Sequence, residues 1–145
     1  MFGVRLRGLR KLVFVAGVVA FGCSGEGLER YDDAFCRAAL KNPARAEAME
    51  WLRISSNEAK HLGTMSVDQS LAFVHRLDSA GARRLTVVGL EPRSASSDLA
   101  LVVELPSDPN SRLAVFQLYA KQVRSLGFPP MADFGQSYLY LPTQP

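Results

Sequence analysis

The hydrophobic positions change period several times along the chain, and each change predicts an element. Leu12 to Gly22 is a run of eleven uncharged residues. Val13, Phe14, Val15, Val18 and Val19 would point all around a helix, which argues against a buried amphipathic one. From Leu28 the spacing becomes helical: Leu28, Tyr31, Phe35 and Ala39 fall on one stripe, and Asn42-Pro43 ends it. Met49 to Ser55 alternates instead. Leu52 and Ile54 share one side with Glu50, and Met49, Trp51 and Arg53 share the other. That alternation favours a strand over a helix continued from Ala44 to Arg53, although Ala44, Ala46 and Ala48 are good helix formers.

Ser66 with Gln69 three residues later reads as a capping box. It opens a helix whose stripe is Val67, Leu71, Val74 and Leu77, stopped by Gly81. Leu85 to Leu90 is β-rich. Asp98 to Leu105 places Leu99, Leu101, Val103 and Leu105 on one face and Ala100, Val102 and Glu104 on the other, a strand signature. Asp108-Pro109 supplies an N-cap and a first-turn proline for a helix with Leu113, Phe116, Ala120 and Val123 facing inward, flanked by Val115, Tyr119 and Leu126, and closed by Gly127. Gln136 to Leu141 alternates as a last strand. The succession is therefore a leading helix and then β-α-β-β-α-β, which matches a ferredoxin-like α+β sandwich. In that arrangement a four-stranded antiparallel sheet carries two helices on one face, with its first and third strands central. The expected organisation is a signal segment over residues 1–22, a tether and extra N-terminal helix over 23–43, and one α+β domain over 44–145.

Composition changes the picture at the N-terminus. The 145 residues are 48% hydrophobic and 21% charged, which excludes a disordered chain, and length and composition together fit one domain. The net charge of +3 suggests a basic protein, but Arg5, Arg7, Arg10 and Lys11 all precede the apolar run. Setting those four aside leaves 13 basic side chains against 14 acidic, a balance of −1. The surplus belongs to the leader and gives no reason to expect nucleic acid as a partner. Cations followed by a short apolar run are the architecture of an export signal. The run is too short for a spanning helix, which needs about 20 apolar residues.

Ala20-Phe21-Gly22-Cys23 closes the run. It resembles the lipobox of bacterial lipoproteins, in which a small residue precedes a cysteine that is lipidated and becomes the mature N-terminus. Gly22 and Cys23 fit, whereas Ala20 and Phe21 depart from the usual larger aliphatic and small residues. The resemblance implies acylation of Cys23 (palmitate among the chains) and a membrane-anchored protein of the cell envelope; Ser24 rather than Asp after the cysteine permits sorting to an outer membrane and leaves inner or outer membrane open. The alternative is cleavage after Ala20, which would give a soluble periplasmic or secreted protein and leave Cys23 free to pair with Cys36. With Cys23 acylated, Cys36 is a small buried hydrophobe.

Candidate chemistry is sparse. No HExxH, CxxC, P-loop or GxSxG pattern occurs, so no catalytic, cofactor or metal residue is assigned. His61, beside Glu58 and Lys60 in a loop, is the one position for an alternative reading as a small hydrolase or metal-dependent enzyme. A metal set would require His75 and Asp68 or Asp78 to converge with it. Ser55 and Ser56 lack a glycine elbow. Trp51, Arg53, Tyr138 and Tyr140 are expected to share the sheet's second face. That face is either a surface for a protein or small ligand or is covered by the leading helix. The third strand has no aromatic, glycine-rich run for stacked bases. The expected function is a non-catalytic envelope lipoprotein whose small domain binds a protein or small ligand.

Overall fold

A computed structural model describes residues 28–54, 61–91 and 99–143. The leader, Cys23, Ser55, Ser56, Glu58 and Lys60 lie outside them. After a 3-10 turn at Leu28–Arg30 come α1 (Asp33–Lys41), β1 (Arg45–Glu47), α2 (Ala48–Arg53), α3 (Val67–Ser79), β2 (Arg84–Val88), β3 (Ala100–Glu104), α4 (Pro109–Ser125) and β4 (Tyr138–Pro142). The fold is α+β, with one four-stranded antiparallel sheet.

The helix boundaries follow local chemistry. Ser66 and Gln69 form both bonds of the capping box, Ser66 N–H donating to Gln69 Oε1 (2.9 Å) and Gln69 N–H to Ser66 Oγ (3.2 Å). Asp108 caps α4 by accepting from Ser111 N–H at 2.8 Å, with Pro109 in the first turn. Asp32 caps α1 by accepting from Phe35 N–H at 2.9 Å.

The strand order corrects the ferredoxin-like arrangement. The strands lie in the order β1-β2-β3-β4, so β2 and β3 are central, and the first strand is an edge. The cause is the segment read as strand Met49–Ser55. Its residues through Arg53 form α2, capped by the Glu47 carboxylate, which accepts from Met49 N–H and Glu50 N–H. Ala48 and Leu52, four apart, are its buried residues, so an apparent period of two was one turn of helix. The strand lies just upstream, in three residues of low β-propensity held by pairing Arg45 to Val88 and Glu47 to Thr86.

Because β1 is antiparallel to β2, the α2–α3 connection returns to a neighbouring strand instead of crossing over to a parallel one. The sheet is covered on both faces. Leu85, Val87, Leu101, Val103, Leu139 and Leu141 meet Ala48, Leu52, Phe73, Val74, Leu77, Val115, Phe116, Tyr119 and Val123 from α2, α3 and α4. The opposite face presents Val88, Ala100, Val102 and Tyr140 to α1. Of the residues on the expected inward stripes and faces, Val74, Leu77, Leu101, Val103, Leu105, Phe116 and Val123 share the main core, and Leu71 and Leu99 pack at its margin. Leu113 is 59% exposed: the buried stripe of α4 is Val115, Tyr119 and Val123 with Phe116, one helical position round from the expected one.

Candidate functional site

The sheet's second face is occupied by α1. Tyr31 stacks on Tyr140 with ring centroids 4.2 Å apart, and Phe35 meets Tyr140 edge-on at 5.2 Å. The Asp33 carboxylate reaches from the first turn of α1 to the start of β4, accepting from Ser137 N–H (2.9 and 3.0 Å) and Tyr138 N–H (3.1 Å). The four residues expected to form one aromatic patch are separated. Tyr138 and Tyr140 lie with α1. Trp51 is carried by α2 to the margin of the core on the opposite side, and Arg53 is exposed in the last turn of α2. Once Met49 to Arg53 is helical, Trp51 belongs to the helical layer.

Cys36 is fully buried between α1 and the sheet, and its Sγ lies 3.7 Å from the carbonyl of Tyr31. Burial, reinforced by the charges of Asp33 and Asp32, pushes the thiol from an ordinary 9.0 up to about 12. At neutral pH it is a protonated packing group.

The histidines do not converge on a reactive cluster. His61 Nδ1 donates to the carbonyl of Gly63 at 2.7 Å within its own turn, and His75 Nδ1 lies 3.3 Å from Ser79 Oγ on the exposed side of α3. Among the described residues, no three His, Cys, Asp or Glu side chains gather to hold a metal ion. Asp108 is committed to its cap, and the Ser111 backbone N–H holds its carboxyl below the usual carboxylate range. Nor, among the described residues, is any helix long and apolar enough to cross a membrane.

Among the concavities lined by described residues, two offer surfaces for a partner. An open groove of ≈ 570 Å³ runs between α3 and α4, lined by Gln69, His75, Arg76, Gln122 and Ser125 with Thr64 and Met65 at one end. It presents amide, hydroxyl, imidazole and guanidinium groups and no carboxylate, which suits a polar or acidic group on a ligand. The second, of ≈ 350 Å³, lies at the start of α4 against Pro109, Leu113, Phe116 and the Arg112–Asp133 pair. Arg112 donates from Nε and Nη2 to both Asp133 oxygens at 2.7 Å, and from Nη2 to the Gln136 carbonyl at 2.7 Å. These bonds hold the Asp133 carboxyl below its ordinary range and raise Arg112.

The bonds of Arg112 and Asp33 to Asp133, Gln136, Ser137 and Tyr138 join residues 21 to 105 apart, so no local pattern announces them. Asp133-Phe134-Gly135 alone is legible as a turn, with Asp133 accepting from Gly135 N–H at 3.0 Å. In comparisons with protein-family models, curated proteins and solved structures, none matched the chain.

Proposed function

We propose that the protein is a non-catalytic lipoprotein of the bacterial cell envelope, exported by residues 1–22, acylated on Cys23 and carrying a small α+β domain that binds a ligand or protein. One observation carries this reading: four cations, then eleven uncharged residues ending in Gly22, then Cys23, in that order. The burial of Cys36 supports it. As a free thiol, 0% exposed between α1 and the sheet, Cys36 is the small packing group expected if Cys23 is acylated.

The α3/α4 groove is the binding surface that fits a ligand with acidic or hydrogen-bond-accepting groups. The aromatic face is not the surface in this reading, since α1 lies on it. Changing Cys23 to Ala should move the protein from the membrane to the soluble fraction with its far-ultraviolet circular dichroism unchanged. Intact mass should show a chain beginning at Cys23 with added acyl groups. An unmodified chain beginning at Phe21 would overturn the reading.

A further inference from the structure

We propose that the end of the domain bearing Leu113 and Phe134 rests on the lipid surface to which Cys23 anchors it, and this rests on the reading of Cys23 as the acylated residue. Four large hydrophobic side chains are exposed among the described residues: Phe35 (40%), Ile54 (52%), Leu113 (59%) and Phe134 (67%). Three of them sit on segments tied together by one set of hydrogen bonds. Phe35 lies in the first turn of α1, whose Asp33 holds Ser137 and Tyr138. Gln136 Oε1 accepts from Phe134 N–H at 3.0 Å, and the Gln136 carbonyl accepts from Arg112, the neighbour of Leu113.

The chain reaches α1 at this same end, where Asp33 holds Ser137 and Tyr138 next to Gln136 and Phe134. Leu28, 2% exposed, is fixed in the core, and its carbonyl accepts from Tyr31 N–H just before α1. Cys23 and Leu28 are five peptide steps apart, which span at most about 18 Å. That is shorter than α4 itself, whose 17 residues extend about 25 Å. An acylated Cys23 therefore holds the entry point close to the bilayer, and the exposed side chains nearest that point face it. The chemistry is apolar rather than electrostatic: Arg112 and Asp133 neutralise each other within the patch, and Asp108 and Asp32 at the caps of α4 and α1 are acidic, so they offer no attraction to an anionic surface. Phenyl and isobutyl groups of this kind settle at the headgroup–acyl boundary.

The test uses the full-length lipidated chain in phosphatidylethanolamine–phosphatidylglycerol vesicles, with a bimane reporter on Ser107→Cys, beside Leu113, or on Ala132→Cys as a second position. Cys36 is buried and Cys23 acylated, so neither competes for the label. A control reporter on Ser125→Cys sits at the far end of α4. We expect blue-shifted emission and several-fold stronger quenching by an acyl-chain nitroxide at position 107 or 132 than at 125. The double substitution Phe134→Ser, Leu113→Ser should return the reporter to its aqueous emission while the protein still sediments with vesicles. Aqueous emission at both ends, in protein that sediments with vesicles, would overturn the docking face and leave the anchor standing. Protein without acyl mass that stays in the supernatant would overturn the anchor, and the face with it. A blue shift that grows with protein concentration and ignores lipid would assign the patch to a second copy of the chain, which also overturns the proposal.

Discussion

On one face of the sheet, six aliphatic side chains from β2, β3 and β4 meet three helices in a continuous core. On the other, a nine-residue helix inserts one fully buried side chain, Cys36, among Val88, Ala100, Val102 and Tyr140. The first layer is held by apolar area. The second is held by a ring stack and by one carboxylate that satisfies two backbone N–H groups. A layer with so little buried area opens at lower free energy than the core beneath it. The two faces of one strand should therefore respond differently to mutation.

The largest effect is expected on the helical face. Leu101 is 0% exposed in the central strand β3, and Leu101→Ala should lower global stability by about 2–5 kcal/mol, through lost transfer energy and the cavity left behind. Urea unfolding with an unchanged m-value is the measurement. A loss below about 1 kcal/mol would mean that the helical face is not the main source of stability. The next effect belongs to α1. Asp33→Ala removes the acceptor for Ser137 and Tyr138, where hydrogen bonds to a charged group contribute about 1.5–3 kcal/mol. Hydrogen exchange should accelerate over α1 and at the start of β4, with β2 amides unchanged. Uniform acceleration through the sheet would show one cooperative unit instead of two layers.

This asymmetry also explains what the sequence made legible. The capped helices α3 and α4 were readable because their signals are local: Ser66 with Gln69, and Asp108 with Pro109. The covering of the second sheet face by the leading helix was one of two expectations, and β3 carried a hint of it, since Ala100 and Val102 on its second face are apolar too. The strand order was not readable. It turns on Met49 to Arg53, where four or five residues fit a period of two as well as one helical turn, and on Arg45–Glu47, which no propensity marks as a strand. Leu113 misled for a related reason: on a helix with large side chains at positions 113, 115, 116 and 119, a shift of one residue selects another plausible stripe. The bonds of Asp33 and Arg112 span too much chain for any spacing to encode.

The smallest effect at neutral pH, and the sharpest probe of the α1 layer, is the reactivity of Cys36. In the closed protein its thiol ionises only near 12, whereas with α1 lifted it should return to about 9.0. The closed state thus prefers the protonated thiol. Its contribution to α1 docking is complete below about pH 9 and declines as pH rises from there towards 12. Labelling by a small disulfide reagent requires an open, ionised thiol. At pH 8 it should be slower than in the urea-unfolded chain, by roughly 10²-fold if α1 opens at about 3 kcal/mol. Above pH 9 the unfolded chain's rate should level off, because its thiol is already ionised. The folded protein's rate should keep rising about tenfold per pH unit, because ionisation itself draws α1 open. Asp33→Ala should speed this labelling and Leu101→Ala should leave it nearly unchanged, if α1 opens separately from the core. A folded-state rate that levels off near pH 9 would mean that Cys36 ionises at its ordinary value without α1 opening, and that α1 does not seal the face.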